Sequence, residues 1–312
     1  MSSEFSRIID EKHIKGLYHF TELSNLKGIF NSPGLLSRIN LKKSGLLSNI
    51  MDSASNEIIK RRETVKLFNG KNLSEYVPLY FARRSPMLYV TEGIKTETDR
   101  YPHTITPVYL VFSPSVLLAE GVIFADGNAS SSRTTIGEGP EALMSVDMDI
   151  VRTPMTSIKY KYSNMVYREV KRKKQAEALI PDMLPLQYLM GICFRCEAEM
   201  KEGERLLGDS LKKYNYRVFP DMFHRHRAYV EDFRFDSNLD LVVQMANTDM
   251  SHKLSLRFFS DRGDFMAQLD PYKNYKYNSG KFITYYKNGR MDFFINHYRM
   301  FSVEFEKGVI KC

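Results

Sequence analysis

A basic run that breaks directly into an apolar segment constrains this chain more than any other feature: Lys171-Arg172-Lys173-Lys174-Gln175-Ala176-Glu177-Ala178-Leu179-Ile180. Four consecutive cations end three residues before one carboxylate. Cations clustered in this way suit a polyanion, and a Glu at the edge of an apolar run suits a partly buried, chemically tuned acid. A solvated basic run that merely precedes a strand is the alternative reading of this segment taken alone.

The residues upstream strengthen the first reading. Lys159, Lys161, Arg168, Lys171, Arg172, Lys173 and Lys174 face one anion, Glu169, with Tyr160, Tyr162 and Tyr167 interleaved. A single strand needs that mixture, charge for its backbone and π-faces for its bases. The whole chain carries a formal net charge of +8, which also favours an acidic partner such as nucleic acid.

At 312 residues the chain has room for two ordinary domains, and an apolar fraction of 43% excludes global disorder. Three cysteines are too few for a disulfide framework and point to a reducing, cytoplasmic setting. Cys193 and Cys196 form a C-x-x-C with no second pair nearby, so they read as structural residues. His224 and His226, in Phe223-His224-Arg225-His226-Arg227, lack further ligands at metal-binding spacing and read as a surface basic patch. No metal is implied. The polar N-terminus reads as no signal peptide, and no run is apolar for long enough to span a bilayer, so no membrane role is expected.

Residues 1–204 read as one α+β unit. Leu17 to Phe20, Val77 to Phe81, Pro107 to Phe112, Val122 to Phe124, Ala176 to Ile180 and Met190 to Phe194 read as strands; Ser24 to Phe30 and Ser113 to Glu120 read as helices. Residues 205–312 have another texture, with alternating aromatic runs at Leu239 to Met245, Lys253 to Phe259, Phe282 to Tyr286, Met291 to Asn296 and Met300 to Phe305. Asn288-Gly289 stands between two of these runs and signals a hairpin. The tail is therefore expected to be an antiparallel, β-rich accessory domain of unassigned role.

Several separated motifs then line up. Tyr18-His19-Phe20-Thr21 is followed by Asn25-Leu26 and Gly34-Leu35-Leu36-Ser37; Ile59-Lys60-Arg61-Arg62 comes next, then Tyr80-Phe81-Ala82-Arg83-Arg84-Ser85-Pro86-Met87-Leu88-Tyr89, Ala125-Asp126-Gly127-Asn128 and Gln175-Ala176-Glu177. Together, over residues 16 to 195, they resemble the DarT family, toxins that transfer ADP-ribose from NAD+ onto bases of single-stranded DNA. The resemblance implies an ADP-ribosyltransferase-like mixed sheet, with Glu177 as catalytic acid and Arg62 or Arg61 as the catalytic arginine. It places His19, Phe20, Thr21, Gly28, Leu36 and Arg62 around NAD+. It places Arg84, Ser85, Pro86, Met87, Leu88 and Tyr89, with Lys171, Arg172, Lys173, Lys174 and Gln175, along the nucleic acid. Asn128 stands in the substrate loop where some relatives carry a His, which leaves the modified base open.

The chemistry agrees with these assignments. Breaking the bond between nicotinamide and C1′ of the ribose builds positive charge, which a carboxylate stabilises. An arginine rarely loses its proton, so an electrostatic role suits it better than that of a base. The base must be reached directly, so single-stranded or flipped substrate is expected. The resemblance further implies a separate antitoxin protein. An RNA substrate, a catalytically silent nucleic-acid-binding protein and a NAD+ hydrolase are the other readings.

Overall fold

The computed structural model describes residues 2–49, 51–52, 56–94, 104–154, 164–248, 251–272 and 275–311. Lys159, Tyr160, Lys161 and Tyr162 of the basic stretch lie outside the described residues.

The strands of the first part are β1 (Leu17–Glu22), β2 (Gly34–Leu36), β3 (Tyr76–Tyr80), β4 (Pro107–Phe112), β5 (Ile123–Ala125), β6 (Ile136–Glu138), β7 (Glu177–Pro181), β8 (Met183–Pro185), β9 (Leu189–Phe194) and β10 (Tyr216–Val218). Eight form one mixed sheet in the order β10-β9-β4-β1-β3-β7-β5-β6, while β2 and β8 pair apart from it. Val108, Leu110, Phe112, Ala178 and Ile180 are buried in its core, which explains their β-branched and apolar character.

The sheet splits in its middle. β1 and β3 share one registered pair, Tyr18 with Tyr80, and then part. Pro78 sits where the ladder fails. Its carbonyl accepts a hydrogen bond from His19 Nδ1 at 3.0 Å. A residue's N–H and C=O face the same neighbouring strand, so the hydrogen that proline lacks would have pointed into the split. A proline is tolerated in a central strand here because that donor has no partner to lose.

Two boundaries differ from expectation. Residue 204 falls inside the helix Glu197–Leu207, and β10 still belongs to the first sheet. The basic run is the last turn of a helix, Asn164–Lys173, and the strand begins at Glu177 itself.

Beyond it, β11 (Tyr229–Phe235), β12 (Leu241–Ala246) and β15 (Lys276–Tyr277) form one antiparallel sheet. β13 (Leu254–Phe259), β14 (Phe265–Leu269), β16 (Gly289–Ile295), β17 (Tyr298–Glu306) and β18 (Val309–Lys311) form another, in the order β14-β13-β16-β17-β18. Phe282 to Tyr286 lies not in a strand but in the helix Ser279–Tyr286. Asn288-Gly289 is correspondingly no hairpin; it follows Lys287, whose φ of 63° closes that helix. The hairpin joins β16 to β17 through Asn296 and His297, with Asn296 at φ 57°.

The junction between the two parts is charged as well as apolar. Ile94, Ile105, Cys196 and Ala198 pack into the same cluster as Tyr229, Leu241 and Phe301. Within it the fully buried Arg195 donates to Glu92 at 3.2 Å, to Glu199 at 3.1 Å and to the Ile105 carbonyl at 3.0 Å. Its guanidinium lies 4.2 Å over the Tyr229 ring. Glu92 also accepts from the backbone N–H groups of His224 and Arg225, at 2.8 and 2.9 Å.

Candidate active site

Glu177, the first residue of β7, is 1% exposed. Tyr80 pairs with it across the ladder, so both side chains lie on one face. Burial, and then the nearby Glu177 charge, raises the Tyr80 phenol and keeps it protonated. Glu177 Oε1 accepts from the Ala129 N–H at 3.3 Å, and Oε2 accepts from Arg62 Nη1 at 3.1 Å. Arg62 comes from the helix Asn56–Thr64; its Nη2 is buried without a hydrogen-bond partner. Arg61, one residue earlier, is exposed. The pair therefore forms through Arg62 rather than Arg61.

A cavity of about 620 Å³ opens over this pair, in the size range of pockets that take cofactor-sized ligands. His19, Phe20, Thr21, Gly28, Leu36, Arg61, Arg62, Met87, Asn128, Lys171, Arg172, Gln175 and Glu177 all line it. β3 lies between His19 and Glu177, so about two strand spacings, on the order of 10 Å, separate their strands. Burial, and then the Arg62 charge, lowers the His19 pKa below its ordinary value. The Pro78 carbonyl can only accept, so Nδ1 carries the proton of the neutral ring and Nε2 is left as an acceptor, suited to a sugar hydroxyl.

Residues not singled out from the sequence complete the wall. Arg38 lines the cavity and pairs with Asp52 at 2.5 Å; Arg133 lines the opposite, loop side. Asn25 exchanges two hydrogen bonds with the Met51 backbone, both 2.9 Å, fixing the segment that carries Asp52. The signal for Arg38 was its place directly after Ser37, whose hydroxyl caps the helix Arg38–Lys43.

The basic run divides. Lys171 and Gln175 face the cavity. Arg172 lines its base but is 9% exposed and already engaged: it pairs with Asp126 at 2.7 Å and with Glu169, and donates to Thr134 at 3.0 Å. It thereby clamps the loop that holds Ala129 against Glu177. Gly127 permits this, since a Cβ there would come within 2.3 Å of Arg172 Nη1. Asn128, on the same loop, donates to Gln175 at 3.0 Å. Lys173 faces Asp147 at 3.5 Å. Lys174 is buried and donates to the carbonyls of Val151 and Thr153 at the end of the helix Met148–Arg152, satisfying acceptors the helix leaves open. Burial lowers its pKa to about 8. Arg172 and Lys174 are thus structural cations, a correction to their expected place along the nucleic acid.

The segment from Arg84 to Tyr89 divides likewise. Ser85 is buried and caps the helix Pro86–Thr91, accepting from the Met87 N–H at 3.1 Å. Pro86 and Leu88 are buried, Leu88 in the cluster with Tyr18, Phe20 and Tyr109. Ser85, Pro86 and Leu88 therefore hold the helix rather than face a ligand, while Arg84 and Tyr89 are exposed and Met87 lines the cavity. His224 and Arg227 also leave the expected surface patch, since His224 donates to the Ser85 carbonyl at 3.1 Å and Arg227 to that of Val90 at 2.6 Å.

The split mixed sheet, with a carboxylate–arginine pair under a cavity of cofactor size, belongs to an ADP-ribosyltransferase, as the family match shows. The family profile described as "ssDNA thymidine ADP-ribosyltransferase, DarT" matches residues 18–224. The chain belongs to the DarT family. A DNA ADP-ribosyl transferase of Thermus aquaticus is 27% identical over 213 residues, covering 67% of this chain and 83% of the relative. A DNA ADP-ribosyl transferase–DNA ADP-ribosyl glycohydrolase fusion protein of Thermosipho africanus is 27% identical over 213 residues; the match covers 66% of this chain and about half, 48%, of the fusion. Among solved structures, Thermus sp. 2.9 DarT with ADP-ribosylated ssDNA superposes with a TM-score of 0.55 at 23% identity, covering 68% of this chain and 97% of that one. The same protein with NAD+ gives 0.52 at 22% identity, over 68% and 98%. Among the described residues, no helix is long and apolar enough to cross a membrane.

Proposed function

We propose that this chain transfers ADP-ribose from NAD+ to a thymine base of single-stranded DNA, with Glu177 and Arg62 as its catalytic pair. The observation that carries the reading is the buried Arg62 Nη2, unpartnered beside a carboxylate in a cavity that His19 also lines. Such an orphan donor is expected where a ligand supplies the missing acceptor.

NAD+ supplies an ADP-ribosyl group: its C1′–nicotinamide bond breaks as the bond from C1′ to the base nitrogen forms, and the proton of that nitrogen passes to solvent. Glu177, acceptor-only and buried, stabilises positive charge at C1′ and accepts from the adjacent ribose hydroxyl. The Ala129 N–H and Arg62 Nη1 hold its two oxygens, so it is oriented before substrate arrives. Arg62 Nη2 donates to the diphosphate or to the base as it becomes anionic. His19 accepts from a ribose hydroxyl through Nε2, and Phe20, Thr21, Gly28 and Leu36 enclose the donor. Met87 provides an apolar face for the target base, and Lys171 and Arg84 attract the strand.

In the cell this activity makes the chain a cytoplasmic toxin, restrained by an antitoxin protein that removes the mark or blocks the cavity. The Thermosipho africanus relative, whose name joins a transferase to a DNA ADP-ribosyl glycohydrolase, supports that pairing. Incubation with NAD+ and defined DNA and RNA oligonucleotides, followed by mass spectrometry, tests the reading. A single ADP-ribose on thymine of the DNA is expected. Modified RNA alone, or ADP-ribose released only into solution, overturns it.

A further inference from the structure

A second cleft, of about 480 Å³, opens on the far side of the helix Pro86–Thr91. Tyr89, Val90, Ile94, His226, Asn247 and His252 line it. Its wall is therefore shared: Met87 of that helix faces the catalytic cavity, and Tyr89, two residues on, faces the second cleft. Half a helical turn advances about 3 Å along the axis, so the two openings are neighbours.

The two walls are chemically suited to a nucleotide. Tyr89 is 53% exposed and lies parallel to His226, with ring centroids 4.3 Å apart and planes 8° apart. His224 meets the Tyr89 ring edge-on at 5.1 Å. Arg84 and Arg225 are exposed, and Arg84 lies close enough to His224 for its charge to oppose protonation of that ring. The loop that presents His226 is tied down on both sides. Glu92 accepts from the His224 and Arg225 N–H groups, and Asn247 donates to the carbonyls of Arg225 and Arg227 at 2.7 and 3.3 Å. A fixed aromatic pair, left exposed beside two arginines, is what an unstacked base and its phosphate require.

Resting on the transferase reading above, we propose that this cleft holds the nucleotide next to the one being modified, with the Tyr89–His226 pair as its stacking platform. The family match ends at residue 224, so His226, Asn247 and His252 lie beyond it. The C-terminal part thereby completes the substrate path, while His224, the last residue of the family match, sets through Ser85 the helix that carries Met87.

The test compares three DNA oligonucleotides with one target thymidine: fully natural, abasic on its 5′ side, and abasic on its 3′ side. Removing the base on one side raises KM for DNA by about 10- to 100-fold, the range of one base–aromatic stack, with kcat and the NAD+ KM unchanged. His226→Ala abolishes that difference, and His226→Phe, which keeps the ring, restores it. Equal KM values for all three oligonucleotides with the unaltered protein overturn the inference, as does a His226→Ala protein that still discriminates. If no oligonucleotide is modified at all, the transferase reading itself has failed.

Discussion

Arg195 and Arg62 each meet a buried glutamate, and they differ in what remains unsatisfied. At the junction, Arg195 has Nε, Nη1 and Nη2 all engaged, by Glu199, Glu92 and the Ile105 carbonyl. In the cleft, Arg62 reaches Glu177 through Nη1, and its Nη2 has no partner. The first is a joint, complete within the protein. The second keeps one buried donor without a partner in the protein. Between these two arginines, satisfaction rather than charge is the difference.

That contrast can be broken by substitution. Glu177→Gln keeps the shape and removes the charge; transfer is expected to fall about 10²- to 10³-fold with an unchanged melting temperature. Near-normal turnover in a discontinuous radiolabel assay would sink the cleft half of the comparison. Arg62→Lys retains the charge but loses the fork, and kcat/KM is expected to fall roughly 10²-fold while the fold persists. Arg195→Met leaves Glu92 and Glu199 buried without their cation, a loss of about 3–5 kcal/mol that urea unfolding would register. Stability equal to the parent's would remove the distinction between joint and site.

A pH experiment sharpens the same contrast. Burial raises the Glu199 pKa from its ordinary 4.5 to about 7. The folded chain thus retains a proton that the unfolded chain has released. That contribution is fully present below about pH 4.5 and is lost as pH rises through 7. The melting temperature of Glu199→Gln relative to the parent should therefore climb between pH 5 and 8; a constant gap contradicts it. The smallest effect is expected at Lys171, where Ala weakens oligonucleotide binding a few-fold and lowers the salt slope by about 0.7, read by anisotropy across a salt series.

The place of Glu177 at a strand edge was legible because the apolar run opens beside it, and β7 begins at Glu177, one residue after the expected Ala176. The flanking cations were less so. Whether Lys174 faces solvent depends on the carbonyls of Val151 and Thr153, more than twenty residues upstream, and Arg172 depends on Asp126. Nothing local to Lys171-Arg172-Lys173-Lys174 reports those partners. The tail misled for another reason. Phe282, Ile283 and Tyr286 suit one helical face as well as a strand, and Asn288-Gly289 serves a helix end as readily as a hairpin. Sequence named both Arg62 and Arg61 as candidates; the direction of the helix Asn56–Thr64 brings Arg62 to Glu177.

Pro78 has a consequence for how the enzyme meets its donor. With no hydrogen to offer at that point, β3 lacks one ladder bond toward β1, so the split is supported by the backbone itself. Pro78 also lines the cavity, so this part of its wall is fixed by the chain's covalent structure. Donor capture should then be limited by encounter, without a preceding gate to unlatch.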